Sequence, residues 1–105
     1  MTMTLHRKKR LEVIIEVPAL SRLETALHDI GITGYTILPA LAGAGRSGRW
    51  TRDGLIGDTD RMVMLVAIFD AQLVDTLVER IFPVVTRQSG VASLSDVEVL
   101  RADLF

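Results

Sequence analysis

Cysteine is absent from all 105 residues, which excludes disulfide frameworks, thiolate metal sites and cysteine nucleophiles. Histidine is almost as scarce: His6 and His28 lie in different segments, without the ligand spacing of a zinc site. Aromatic residues make up only 5% of the chain and the formal charge is −1, so neither stacking platforms nor a basic footprint points to nucleic acid. No apolar run approaches the roughly 20 residues of a transmembrane helix. No signal-peptide core follows the basic start, because Glu12 and Glu16 punctuate the stretch from Leu11 onward. What remains reads as a soluble cytoplasmic chain, one domain over residues 1–105, long enough to bury a core without covalent staples.

The patterning that is present gives an order of elements. Residues 1–10, with the run Arg7-Lys-Lys-Arg10, read as a flexible, solvated basic lead-in. From Leu11 to Val17, apolar residues at every second position alternate with Glu12, Ile14 and Glu16, a strand pattern. Pro18 opens a helix whose Leu20, Leu23, Leu27 and Ile30 share one face, and Gly31 is its stop. Tyr35 to Ala40 is a short second strand, and Arg61 to Phe69 a third, apolar at both parities. Asp70 is expected to cap a helix carrying Leu73, Val74, Leu77, Val78 and Ile81 and ending at Phe82, before Pro83. Two strand-like pieces follow, Gly90 to Ser95 and Val97 to Arg101, broken near Asp96. The order βαββαβ is an α+β, ferredoxin-like arrangement with both helices on one face of an antiparallel sheet. Those helices cover one face only, yet the third strand is apolar on both, so a further subunit is expected on the second face.

Between the second and third strands, residues 41–60 carry five glycines (43, 45, 48, 54 and 57) and three arginines (46, 49 and 52). So long a connection in a compact domain is usually functional or disordered. Glycine lets backbone approach a ligand, and arginine forks suit phosphate or carboxylate. Gly43-Ala-Gly-Arg-Ser-Gly48 matches the dinucleotide pattern G-x-G-x-x-G, but no helical periodicity follows to hold a pyrophosphate. A backbone anion nest remains open to it. Arg46, and after it Arg49, are the residues expected to contact a charged ligand. Arg52 is more distal, beside Asp53. Trp50, the single tryptophan, either folds back on its own chain or serves a partner as a hot spot. His28 is expected at the surface of the first helix. Asp58, Asp60, Asp70 and Asp75 form no acid pair, so no catalytic constellation is present.

Gly31-Ile-Thr-Gly-Tyr-Thr36, followed by Gly43-Ala-Gly-Arg46, resembles the G-[IV]-T-G-x-T … G-x-G-R signature of PII signal-transduction proteins. Val74-Asp-Thr76 and Asp96-Val-Glu-Val-Leu-Arg101 extend the likeness over nearly the whole chain from Leu11. The resemblance implies a homotrimer with its sheets facing inward, nucleotides in the clefts between subunits, and a T-loop at 41–60 that engages a partner. Nitrogen regulators of this family carry a glycine- and lysine-rich phosphate loop after the second helix. Here Pro83-Val-Val-Thr-Arg-Gln-Ser-Gly90 stands there without the lysine, and the T-loop lacks the tyrosine that those proteins modify. The ending Val97-Glu-Val-Leu-Arg-Ala-Asp-Leu-Phe105 is more similar to the branch linked to inorganic carbon, the SbtB and carboxysome-associated CPII type. That branch implies a non-enzymatic sensor of adenine nucleotides, ADP or AMP foremost and also ATP or cyclic AMP. It further implies bicarbonate binding, no metal, and a bicarbonate transporter as partner. By position, Gly34 and Thr36 would line the adenine with Val66 and Ile68 as walls. Gly45, Arg46, Ser47 and Arg49 would hold phosphate, with Arg87, Gly90 and Arg101 approaching from the post-helix loop and the last strand. Trp50 and Arg52 would face the partner. The rivals are a nitrogen-type regulator, a small trimeric enzyme or metal-tolerance protein on the same scaffold, and a purely structural oligomerisation module.

Overall fold

The computed structural model describes residues 4–45, 48–51, 61–87 and 90–101. Strand β1 (His6–Glu16) passes directly into helix α1 (Val17–Asp29), with a proline in its first turn. The amide of Val17 is satisfied from outside the helix, donating to the Arg61 carbonyl at 3.0 Å. At the far end Gly31 takes φ +90°, its amide donates to the His28 carbonyl, and the Ile32 amide donates to that of Leu27. This is a Schellman stop, which demands the left-handed conformation that glycine adopts without strain.

After β2 (Tyr35–Ala40) the chain makes a separate two-stranded hairpin, β3 (Ala42–Gly45) with β4 (Gly48–Thr51). Strand β5 (Met62–Phe69) leads through a 3₁₀ turn at Ala71–Leu73 into α2 (Val74–Arg87), and β6 (Val91–Val99) closes the order. The main sheet runs β2-β5-β1-β6 with every pair antiparallel, the ferredoxin-like order expected. Leu11, Val13 and Ile15 of β1 and Val63, Leu65, Ala67 and Phe69 of β5 meet Leu23 and Leu27 of α1 and Leu77, Ile81 and Val85 of α2 in one buried cluster. Both helices therefore lie on one face.

Four local expectations need correction. The basic run is not a solvated lead-in: residues 6–10 are the first half of β1, paired along β6, with Lys9 and Arg10 also paired to β5. Opposite charges wait at the register positions, Lys9 facing Asp96 and Arg7 facing Glu98. Lys9 Nζ reaches the Asp96 carboxylate at 2.6 Å, while buried Lys8 pairs with Asp70. Such cross-strand complementarity cannot be read from one segment alone. The same pairing removes the expected break at Asp96, and β6 runs through it unbroken. Asp70 makes no side-chain cap to α2, because its carboxylate is taken by Lys8.

The fourth concerns α2, which does not stop before Pro83 but carries it inside. Leu77, Ile81 and Val85 are spaced by four residues, so burying Val85 requires the helix to continue. Fixing this third residue of the stripe in the core outweighs the proline's missing hydrogen bond. Thr86 Oγ1 donates to the Phe82 carbonyl at 2.8 Å one turn later. Val78, expected on the buried stripe, is 41% exposed.

Candidate functional site

The sheet has two ends, and the residues singled out from sequence divide between them. At one end, β2 begins, β5 finishes and β6 runs out. Gly31, Ile32, Thr33 and Gly34 of the turn after α1 face Ile68, Phe69, Asp70 and Leu73 there, around a cavity of about 200 Å³. Thr36 and Val66 are direct register partners on β2 and β5 beside it. Arg101 follows the end of β6, antiparallel to the start of β1, and so belongs to the same end. At the other end, α2 finishes and the hairpin leaves β2. Gly45 closes β3, Arg49 stands exposed on β4 opposite Ala44, and Arg87 is the last residue of α2.

Val63 and Ile68 mark the two ends along β5, roughly 17 Å apart at about 3.3 Å per residue. One chain therefore does not gather the two groups. The cavity is also smaller than the roughly 300–1,000 Å³ of a site that encloses a drug-sized ligand. A site using both groups needs two copies. Arg46, Ser47 and Arg52 lie outside the described residues.

Three assignments look different in three dimensions. Gly90 has a packing reason to be glycine: a Cβ there would stand 3.1 Å from the Ile14 carbonyl oxygen and 3.3 Å from that of Val85. Its amide also donates to the Val85 carbonyl at 2.8 Å, tying off α2. Arg87 belongs to the last helical turn rather than to a loop, where its charge suits the helix dipole. In the hairpin, Gly43 and Trp50 are paired, and a Cβ on Gly43 would fall 2.4 Å from the indole. Trp50 thus lies across Gly43 of its own chain. The first half of the T-loop is a paired hairpin, not a structureless connection.

Sequence reasoning missed two things. The first is the cavity wall made by Ile32, Thr33, Asp70 and Leu73, although the Gly31-Ile-Thr-Gly34 string was its signal. The second is a brace beside it, joining α1 to the start of β2. Tyr35 donates its hydroxyl to Glu24 Oε2 at 2.5 Å, His28 Nε2 lies 3.3 Å from that hydroxyl, and the His28 and Tyr35 rings meet edge to face. The hydrogen bond to Glu24, then burial and the nearby negative charge, raise the Tyr35 pKa above the ordinary phenol value. A second, larger cleft of about 460 Å³ lies between α2 and β6, lined by Val78, Phe82, Leu94 and their neighbours. It is apolar, and of the expected site residues only Gly90 borders it. Among the described residues no group of three or more His, Asp or Glu could hold a metal ion, and no helix is long and apolar enough to cross a membrane.

The strand order, with both helices on one face of the antiparallel sheet, defines a ferredoxin-like protein. Residues 8–104 match the model of the family Nitrogen regulatory protein P-II, and the chain belongs to that family. It is a PII-like signalling protein of the carbon-linked branch. Two solved structures of CPII, a PII-like protein from Thiomonas intermedia K12, carry information about ligands. One, bound to ADP, AMP and bicarbonate, is 30% identical with a TM-score of 0.86, covering 95% of this chain and 94% of that one. The other, bound to ADP and bicarbonate, is 31% identical with a TM-score of 0.82, covering 95% of each. A PII-like signalling protein from Thermus thermophilus, at 22% identity and a TM-score of 0.78 over 98% of this chain and 99% of that one, shares the fold. No curated protein sequence matches significantly.

Proposed function

We propose that the chain is a cytoplasmic, non-enzymatic homotrimer that binds an adenine nucleotide, ADP or AMP, at each seam, with bicarbonate beside it. The T-loop hairpin then reports the bound state to a partner, a bicarbonate transporter in the uptake of inorganic carbon. The observation that carries this is the division of the site between the two ends of the sheet. One copy offers the Gly31–Gly34 turn, Thr36, Val66, Ile68 and Arg101. Its neighbour offers Gly45, Arg46, Ser47, Arg49 and the end of α2, so a ligand spanning the seam meets apolar walls and guanidinium groups together. The ligands bound by CPII at about 30% identity support adenylate and bicarbonate as the occupants. Trp50 and Arg52 are the residues we propose for contact with that partner.

The mechanism is an exchange of order for contact. Fixing loop backbone costs roughly 1–2 kcal/mol per residue, and each charge-assisted hydrogen bond returns about 1.5–3 kcal/mol. Nearly balanced terms let different ligands select different loop shapes. The test is a thermal-shift and calorimetry panel of ADP, AMP, ATP, cyclic AMP, bicarbonate and divalent metals, with the nucleotides recovered and checked for turnover. Stabilisation by intact adenylates supports the sensor. Turnover favours an enzyme, stabilisation by metal alone a metal-handling protein, and no stabilisation at all a structural module. Arg46→Ala is expected to weaken ADP binding about 10- to 150-fold, as loss of one such hydrogen bond requires. A change below about twofold removes Arg46 from the site.

A further inference from the structure

Two walls face each other across the small cavity at the end of β5. One is the end of β5 itself, where Asp70 is anchored by buried Lys8. The other is the Gly31–Gly34 turn, and of its four residues only Ile32 is buried. A Cβ on Gly34 would meet nothing within 4 Å, and its φ is not positive, so nothing among the described residues requires glycine there. Open space of that kind suits the close approach of a ligand to backbone. Backbone hydrogen bonds fix the first half of the turn, the Gly31 and Ile32 amides donating to carbonyls at the end of α1. The second half leads through Thr33 and Gly34 to Tyr35, which is gripped through side chains. Glu24 and His28, one helical turn apart on α1, both reach the Tyr35 hydroxyl, at 2.5 and 3.3 Å. Tyr35 pairs with buried Ala67 and packs against the core, so it lies on the helix side of the sheet. Thr36, the next residue, faces the other way opposite Val66. Tethering the tyrosine therefore fixes Gly34 on one side of it and Thr36 on the other.

Resting on the adenylate site proposed above, we infer that Glu24, His28 and Tyr35 are positioning residues for the nucleotide's base. They touch no ligand and act through the turn, by holding Gly34 and Thr36 in place before the base arrives. A wall that is already ordered spares binding the cost of ordering it. Without the brace the same contacts form only at the expense of the freedom of Thr33 and Gly34. The facing wall, anchored by Lys8, does not change, so the width of the cavity is decided on the side of the turn. The benefit belongs to the base end of the ligand alone. Gly45, Arg46, Ser47 and Arg49, proposed for the phosphates, belong to the hairpin and its connection, away from the brace.

The experiment is calorimetric titration of the full chain with AMP, ADP and ATP, with far-UV circular dichroism and sedimentation as checks on folding and assembly. Tyr35→Phe keeps the ring and loses the donor, and Glu24→Leu removes the acceptor. Each is expected to weaken all three nucleotides by the same factor, about tenfold, the size of one hydrogen bond. The double variant should be no weaker than either single one, because the unit is already broken. Glu24→Gln still offers an acceptor oxygen and is expected to bind within about threefold of wild type. That rescue separates the hydrogen bond from the packing of the side chain. Equal losses in Glu24→Gln and Glu24→Leu overturn the inference, as do losses that multiply in the double variant or grow with the number of phosphates. Changes below about twofold in both single variants also overturn it and leave the nucleotide sensor standing. If one single variant fails to fold, the other decides together with Glu24→Gln. A wild-type chain that binds none of the three nucleotides overturns both readings.

Discussion

On β5 alone, Val63, Leu65, Ala67 and Phe69 are buried beneath the helices, whereas Met62, Met64, Val66 and Ile68, one residue out of phase, are only half-buried. Along this strand both faces are hydrocarbon. They differ in what was supplied to cover it: α1 and α2 close one face, and nothing within the described residues closes the other in the same way. The closed face holds the subunit together. The open face carries the apolar surface proposed to serve assembly.

Substitution on each face separates the two roles. Leu65→Ala is expected to destabilise the subunit by about 2–5 kcal/mol in urea unfolding, because the helices cannot collapse into the space it leaves. That loss should not depend on protein concentration. Met64→Ala, its neighbour on the open face, should show a smaller loss that fades as the protein is diluted, since what it removes is contact between copies. A concentration-independent loss of equal size would erase the distinction.

Smaller effects sharpen the edges of the comparison. Gly31→Ala is expected to cost about 1–2 kcal/mol, because alanine is strained at the positive φ that ends α1; urea unfolding measures it. At the sheet's outer edge, Asp96 titrates below the usual carboxylate range, chiefly through its hydrogen bond from Lys9 and also through the Lys9 charge. A depressed pKa means that the pair helps the fold above the unfolded value of 3.8 and that this help is lost as the pH falls through the folded one. Carboxyl chemical shifts should place the Asp96 midpoint below 3.8 in the wild type and close to it in Lys9→Gln.

The ferredoxin-like order was legible because periodicity survives in a single segment: two in β1, three and four in α1, with a glycine after α1. The parts that were not legible depend on partners distant in sequence. Lys8, Lys9 and Arg10 look like solvated charge until β6 and the end of β5 are laid beside them. Asp70 has the look of a cap until Lys8 takes its carboxylate. Pro83 announces a helix end, and only the burial of Val85 explains why α2 goes on. The candidate site was half visible. Its turn, Gly31 to Gly34, and its arginines stand out, but their separation to opposite ends of the sheet is a property of topology. The Tyr35–Glu24–His28 brace had no local signal at all.

The seating of Trp50 on Gly43 has a practical result. As the single tryptophan of the chain, it makes the hairpin the dominant source of intrinsic indole emission. Any event that lifts the indole off that glycine changes its surroundings and therefore the emission. The protein thus carries a built-in optical reporter at the segment proposed to signal, readable in real time without a label.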